Sequence, residues 1–229
     1  MGVNLAELRT RSLEHADMIS GSFVGGATDG GDELRRYINA SAAELHGILT
    51  LRFEDQFVDP SPTTFSLTGS ANTYSLPSDF LKLRGLDYDV GGEWRPVHSF
   101  QWEERGRFTS GGAVTRRRLN RRYRIMGSSL YLVPATDCAG DYSFHYCPRF
   151  TKLVAETDEL PDGMVQGGWD EYIVVDAAIK MGLKEETDVS GLMAQKRALI
   201  ERVEREAANR DASEQETIAD VYAEGNDWL

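Results

Sequence analysis

The spacing of apolar residues changes twice along this 229-residue chain, and that change constrains the fold more than any other feature. Before residue 59, and again from about residue 166, apolar residues recur every three or four positions, as in amphipathic helices. Between these parts, glycines and prolines separate short runs of β-branched and aromatic residues, which is typical of antiparallel strands. The sequence therefore predicts an α+β fold, in which a helical bundle built from the N- and C-terminal halves carries an inserted antiparallel β region.

Two helices are predicted in the N-terminal half. The first spans residues 4–19 and begins with a capping box, in which Asn4 is the N-cap and Glu7 follows three positions later. Asp32 is predicted to cap the second helix, which extends to about residue 52. The apolar face of the second helix consists of Leu34, Ile38, Leu45, Ile48 and Leu49.

Two patterns in the β region predict where individual side chains lie. The runs at 123–126 and 130–133 are separated by a Gly-Ser-Ser triplet at 127–129, which indicates a compact hairpin. The run YSFHY at 142–146 reads as a strand, in which successive side chains point to opposite faces. One face should hold Tyr142, Phe144 and Tyr146, and the other Ser143 and His145.

Two further helices are predicted in the C-terminal half. Residues 169–183 are apolar nearly all round, so this helix should be central and buried. Asp176 is the one acid in its middle, and we expect it to have a partner. The last helix spans about 190–209, with a buried stripe of Leu192, Leu199, Ile200, Val203 and Ala207. Its water-facing residues are predicted to be Lys196, Arg197, Glu201, Arg202, Glu204 and Arg205.

Residues 211–229, called the acidic arm below, carry six acids and no base. The arm is not expected to join the core strongly, because its apolar residues are sparse. These apolar residues are Ile218, Val221, Tyr222, Trp228 and Leu229. The predicted organisation is therefore an N-terminal helical part at 1–58, an inserted β domain at 59–160, a C-terminal helical part at 161–210, and the extended arm.

Composition and motifs exclude several classes of function. A net charge of −12 disfavours a general nucleic-acid coat, and no run has the length of an apolar membrane span or signal core. The histidines, His15, His46, His98 and His145, are scattered, and the HExxH, GxSxG and CxxC motifs are absent. Two cysteines, Cys138 and Cys147, do not make a zinc site and are interpreted as reduced thiols in a hairpin. We therefore expect no enzyme activity, no metal and no cofactor.

The strongest local anomaly is the arginine window, residues 116–124, with six arginines and no acid in the sequence RRRLNRRYR. It is predicted to enter a strand, exposed on at least one side. Three explanations are open: a contact with DNA phosphates, docking on an acidic surface of another protein or a second copy, or balance of acids within the fold. The arginines are Arg116, Arg117, Arg118, Arg121, Arg122 and Arg124.

Five stretches, in this order, resemble the head-to-tail connector (adaptor) proteins of tailed bacteriophages. They are LPSDFLKL at 76–83, YRIMGSSLYLVPA at 123–135, YSFHYCPRFTKL at 142–153, DEYIVVDAAIKMGLKEETD at 170–188 and REAANRDASEQETIADVY at 205–222. Each stretch is weak by itself, and their joint order supports the resemblance, which covers about residues 32–222. Neither the arginine window nor the glycine-rich stretch at 20–31 belongs to the pattern.

The resemblance implies a structural role at the head–tail junction of the virion, with assembly in the host cytoplasm. Copies of the chain, twelve to match the portal, would form a ring beneath the portal protein, extend the DNA channel and offer a docking surface to a tail or nozzle protein. Genomic DNA would pass without specific binding, and no membrane would be involved. The acidic arm would bind the portal, and the arginine window a neighbouring copy or a tail protein. The alternative is a nucleic-acid-binding module that uses the arginine window.

Overall fold

The computed structural model describes residues 2–18, 30–53, 55–68, 71–104, 121–135 and 138–208. Within these ranges two helices precede the strands and further helices follow them, as predicted, which confirms the α+β class. The helices are α1 (Leu5–His15), α2 (Gly30–Arg52), α3 (Asp162–Val165), α4 (Asp170–Lys184) and α5 (Ser190–Ala208). The strands are β1 (Thr63–Leu67), β2 (Thr73–Ser75), β3 (Phe80–Val90), β4 (Glu93–Pro96), β5 (His98–Ser99), β6 (Arg122–Met126), β7 (Ser129–Val133) and β8 (Gly140–Pro148). A 3-10 turn spans Trp102–Glu104.

Helix α4 lies at the centre of the helical bundle, as its all-round apolar sequence predicts. It contacts α1, α2 and α5, and every side chain from Tyr172 to Ala178 is buried. Burial of one large apolar side chain contributes roughly 1.5–3 kcal/mol, so the helices stabilise one another through this shared core. The surrounding helices supply Leu5, Leu8, Leu34, Ile38, Leu45, Leu49 and Val203.

The first helix begins where the capping box predicts and ends earlier. The Glu7 backbone N–H donates to the Asn4 side-chain oxygen at 2.9 Å, which confirms Asn4 as the N-cap. The helix ends at His15 instead of residue 19, because Asp17 adopts a φ of 55°, which a right-handed helix cannot contain.

The second helix begins at Gly30, two residues before the predicted cap. The prediction that Asp32 is the N-cap is therefore wrong. Glycines are tolerated at this end, because the first N–H groups of a helix need no partner within it. The packing of Leu34 and Ile38 against α4 then fixes the first two turns.

The strands form two four-stranded sheets. One has the order β1-β8-β3-β4 and is antiparallel throughout. The other has the order β2-β7-β6-β5, and its β5–β6 pair is parallel, with His98 opposite Arg122 and Ser99 opposite Tyr123. The prediction of a purely antiparallel region is thus wrong at this edge. A parallel pair needs a long crossover, and the chain between Ser99 and Arg122 is long enough to supply one.

The core between the two sheets contains a cluster of aromatic rings beside its leucine side chains. Tyr142, Phe144 and Tyr146 of β8 are all buried on one face, which confirms the alternation predicted for this strand. The Phe65 ring stacks on Tyr74 with 3.8 Å between ring centroids, and it also stacks on Tyr142 at 5.1 Å. Stacked aromatic pairs add about 0.5–1.5 kcal/mol each beyond the burial of their area.

The prediction of a hairpin at 123–133 is confirmed, whereas the prediction that the two cysteines lie in a hairpin is wrong. Strands β6 and β7 pair as a hairpin through Gly127 and Ser128, and the φ of 58° at Gly127 suits a tight turn. The cysteines do not lie on two strands of a hairpin, since Cys138 precedes β8 and Cys147 lies within it. Both cysteines are buried and neither forms a disulfide.

Candidate functional site

The structure describes three of the six arginines of the arginine window. Arg121 lies just before β6, and Arg122 and Arg124 lie within it. Arg116, Arg117 and Arg118 lie outside the described residues. The strand that follows the window, β6, begins at Arg122.

Arg121 bonds to neutral groups of its own chain. Its Nη2 donates to the Ala139 carbonyl at 3.0 Å, and its Nη1 donates to the Tyr142 hydroxyl at 3.3 Å. The guanidinium also lies 4.7 Å from the centroid of the Tyr88 ring, within range of a cation–π contact. The hydrogen bond to Ala139 therefore connects the residue before β6 with the segment that precedes β8.

Arg124 is held in a similar way on the other side of the sheet. Its Nη1 donates to the Phe100 carbonyl at 2.8 Å, and its guanidinium lies 5.9 Å from the Trp102 ring centroid. Within the described part of the chain, no acid forms an ion pair with Arg121, Arg122 or Arg124. Ion pairs therefore do not cancel the positive charge of these three residues there.

A groove of about 720 Å³ lies beside Arg124. One wall is the start of β3, Phe80–Leu83, and the opposite wall runs from Ser99 to Glu104 and along β6. Burial raises the pKa of the Tyr123 hydroxyl on this wall, so that this group is neutral at physiological pH. The groove is large enough for a chain segment, and Glu104, the last described residue before the arginine window, lines it.

A second groove, called the α2 groove below, has a volume of about 370 Å³ and lies between α2 and the chain at 152–154. Asn39 fastens this chain to the helix, because its side chain donates to the Leu153 carbonyl at 3.0 Å and accepts from the Leu153 N–H at 2.7 Å. The sequence analysis missed this groove. The signal that could have indicated the groove is Asn39, because asparagine is unfavourable inside a helix and its presence there suggests a specific hydrogen bond. The groove is lined by Arg35, Arg36, Asn39, Ala40, Ala43, Lys152, Leu153 and Val154.

A buried ionic cluster joins three helices. Asp176 of α4 accepts from Lys180 Nζ at 2.5 Å and from Lys196 Nζ at 2.8 Å, and Lys180 also donates to Ser41 of α2 at 2.8 Å. Burial raises the pKa of Asp176, but the hydrogen bonds from the two lysines outweigh burial and leave the pKa below its usual value. The expected partner of Asp176 is thus confirmed. The prediction that Lys196 faces water is wrong, because Asp176 draws its ammonium group inward.

A second cluster joins α1 to the start of α4. The Arg11 guanidinium donates to Asp170 Oδ2 and to Glu171 Oε2, each at 2.6 Å. His15 Nε2 lies 3.2 Å from the same Glu171 carboxylate. Asp170 is buried, so this cluster fixes α1 against the bundle instead of lying loose on the surface.

One arrangement resembles a catalytic triad by composition only. His145 Nε2 lies 3.2 Å from Ser143 Oγ and 3.5 Å from Asp87 Oδ2. In a working triad the serine and the carboxylate contact different ring nitrogens, whereas here both contact Nε2. His145 can therefore not be oriented by Asp87 while it takes a proton from Ser143.

In the ranges that the structure describes, no group of three or more His, Cys, Asp or Glu residues could hold a metal ion. None of the described helices is both long and apolar enough to cross a membrane. The predicted portal-binding residues of the acidic arm, Ile218, Val221, Tyr222, Trp228 and Leu229, lie outside the described residues.

The geometry alone does not identify the family of this chain, whereas comparison with known proteins does. The SU10 adaptor protein family matches residues 3–224, nearly the whole chain. No curated protein matches significantly. Proteins of such a phage structural family are typically non-enzymatic, and they associate with other virion components. The chain therefore belongs to the SU10 adaptor protein family and is a structural adaptor protein of a bacteriophage virion.

Proposed function

We propose that this chain forms the head-to-tail connector ring, which docks on the portal protein, extends the DNA channel and provides the attachment surface for the tail. The observation that supports this proposal most strongly is the family match over residues 3–224. The order of the sequence stretches quoted above, which span the β region and both C-terminal helices, points in the same direction. A ring of twelve copies would match the symmetry of a portal.

The geometry of the bundle suits the wall of such a ring. The cluster around Asp176 ties α2, α4 and α5 together, and the Arg11 cluster adds α1. A ring that transmits DNA under pressure needs subunits whose helices keep their register, and buried charged contacts specify register when every partner is present. These contacts leave the outer faces of the bundle available for neighbouring copies.

The charge of the chain supports passage of DNA without adhesion. Each copy has a net charge of −12, so a ring of such copies surrounds its channel with negative charge. Phosphates repel such a surface, and the genome can slide. The same charge opposes assembly of the ring, which is why local positive surfaces matter. The arginine window is the surface that we assign to a neighbouring copy or to the tail or nozzle protein.

The acidic arm is the segment that we assign to the portal. Its spaced apolar residues, Ile218, Val221, Tyr222, Trp228 and Leu229, can fill pockets along a groove, and large apolar and aromatic anchors dominate such interfaces. The test is co-sedimentation with the portal ring of the same phage, using the whole chain and a version that ends at Arg210. We expect the whole chain to bind and the shortened chain to lose binding. If neither form binds at low salt, the connector assignment is wrong; if both bind equally, the portal contact lies outside the arm.

A second experiment separates the roles within the arginine window. In one variant Arg116, Arg117 and Arg118 become Ser, and in a matched variant Arg121 and Arg124 become Ser. We expect the first to weaken assembly while the monomer keeps its melting temperature, and the second to lower the melting temperature, because it removes bonds to Ala139 and Phe100. An intact ring with the first variant contradicts the proposed interface. Salt-sensitive binding of the whole chain to duplex DNA would favour the nucleic-acid alternative.

A further inference from the structure

The α2 groove has an apolar floor that is open to solvent. Ala40 and Ala43 lie on the exposed face of α2, and Val154 is 66% exposed opposite them. Leu153, between them, is buried and continues the floor into the core of the bundle. The small alanine side chains leave space for a partner backbone or an apolar side chain to approach α2 closely.

The rim of this groove is positive. Arg35 donates to the Val154 carbonyl at 3.1 Å, which places its guanidinium over one end of the groove. Arg36 and Lys152 also line the groove, and neither forms an ion pair or a hydrogen bond with another described residue. Arg36 is exposed on α2, and Glu33, an acid on which its charge acts, is already bonded to Lys184 and Tyr37.

A positive rim on a chain of net charge −12 is unusual, and the chain contains one segment with the complementary character. The acidic arm has six acids, no base and several apolar residues spaced along its length. We propose that the acidic arm occupies the α2 groove of its own chain in the unassembled protein. The acids would meet Arg36 and Lys152, and an apolar side chain of the arm would lie on Ala40, Ala43 and Val154.

The end of α5 lies within reach of the groove. Lys196 contacts Glu44, and Arg52 contacts Glu204, so α5 runs parallel to α2 and ends beside its C-terminal end. The distance along α2 from Arg52 back to Ala40 is about 18 Å at 1.5 Å per residue. An extended arm can span up to about 60 Å at 3.3 Å per residue, which is ample for a turn and a return along α2.

This docking would prevent contacts between copies before assembly. The arm would cover the positive α2 groove, and the groove would cover the apolar residues of the arm. A partner with higher affinity for the arm would then release both surfaces at once. The docking does not depend on the identity of that partner, and it goes beyond the proposed function, because it concerns the free chain.

The test is photo-crosslinking of the whole chain in dilute solution, with the photoreactive residue benzoylphenylalanine in place of Ala43. Mass spectrometry of the proteolysed monomer band should find crosslinks to residues 211–229. The combined substitutions Arg36→Glu and Lys152→Glu should lower the crosslink yield about threefold or more, because they replace attraction between the rim and the acids of the arm by repulsion. Arg95→Glu, an exposed arginine on β4, is the matched control and should leave the yield unchanged.

Three results would overturn the proposal: crosslinks only to residues outside the arm, an unchanged yield in the doubly substituted chain, or crosslinks to the arm only in the dimer band. The last result would assign the groove to the arm of a second copy. Circular dichroism of each variant checks that the bundle is folded, so that a lost crosslink reports on docking. Failure of this test leaves the portal assignment intact, because no portal protein is present in it.

Discussion

The described arginines of the window have different partners from the positive side chains of the helical bundle. In the bundle, Lys180 and Lys196 bond to Asp176, and Arg11 bonds to Asp170. In the β region Arg121 and Arg124 of the window each donate to a backbone carbonyl and lie over an aromatic ring. The bundle therefore contains a buried ionic cluster, whereas the described arginine ion pairs of the β region, Arg84 with Asp55 and Arg95 with Glu93, involve exposed acids.

The two cores show the same contrast. The bundle core consists mainly of aliphatic side chains around α4, and the β core combines aliphatic side chains with a cluster of aromatic rings around β8. Aromatic stacking does not change with pH, while a buried carboxylate contributes to stability only when it is ionised. The two regions should therefore respond differently to mutation, pH and salt.

The largest effect is expected for Phe144→Ala in the β core. Phe144 is fully buried and contacts the rings of Tyr74, Phe80 and Tyr146. Truncation of a buried phenylalanine leaves a cavity and lowers the free energy of unfolding by about 4 kcal/mol. Urea unfolding at pH 7 and at pH 4 should give the same loss at both values.

The matched control is Trp94→Ala on β4, where the side chain is half exposed. This change should alter the free energy of unfolding by less than about 0.5 kcal/mol. A loss of comparable size in the two variants would mean that packing around β8 is not what stabilises the β region.

The next effect is expected for Asp176→Ala in the bundle. Removal of this carboxylate leaves Lys180 and Lys196 without their shared acceptor, and breaking a buried ionic cluster costs about 3 kcal/mol. Urea unfolding measures the loss, with Glu201→Ala, an exposed acid on α5, as the control that should change little.

The loss caused by Asp176→Ala should also depend on pH. The pKa of Asp176 in the folded protein lies below its value in the unfolded chain, which is about 3.9. The contribution of this carboxylate is therefore complete above about pH 4 and disappears as the pH falls through the folded pKa. The wild-type chain and the variant should converge in stability at low pH. A constant difference between them would contradict the assignment of the effect to ionisation.

Two smaller effects on the free energy of unfolding distinguish an arginine that bonds to carboxylates from one that bonds to neutral groups. Arg11→Ala removes bonds to two carboxylates, and Arg121→Ala removes bonds to a carbonyl and a hydroxyl. Each should lower the free energy of unfolding by about 1.5 kcal/mol. High salt should reduce the loss for Arg11→Ala, because salt screens partly exposed charges, and should leave the loss for Arg121→Ala nearly unchanged. Equal salt dependence in the two variants would contradict the proposed difference between the ionic contacts of Arg11 and the neutral contacts of Arg121.

The sequence predicted those elements whose side chains follow a local period. The all-round apolar pattern located α4, the alternation in β8 identified its buried face, and the Gly-Ser-Ser triplet located the β6–β7 hairpin. Each pattern depends on neighbours within a few residues, so it is visible without the rest of the fold. The parallel pairing of β5 was missed because it depends on the path of a long crossover.

Contacts between distant residues explain why the candidate sites were harder to predict. Lys196 lies on the polar side of α5 by period, and only its proximity to Asp176 of α4 turns it inward. The arginine window was visible as a run of charge, but the carbonyl acceptors of Arg121 and Arg124 leave no mark in a sequence. The α2 groove combines Arg36 with Lys152, which are far apart along the chain and meet because Asn39 fastens Leu153 to α2.

The smallest effect is expected for His46→Gln, at the edge of the bundle where the chain turns toward the β region. His46 is buried and packs edge-on against Phe57, with 5.1 Å between ring centroids. Burial lowers the pKa of His46 below its usual value of about 6.5, so the unfolded chain binds this proton more readily than the folded one. The free energy of unfolding should therefore decline as the pH falls from 7 to 5, a range in which Asp176 stays ionised. Replacement of His46 by Gln removes the titrating group and should flatten this decline, as measured by urea unfolding across that range. If the decline persists in the variant, another group than His46 couples protons to folding between pH 5 and 7, and the β region would have to be searched for it.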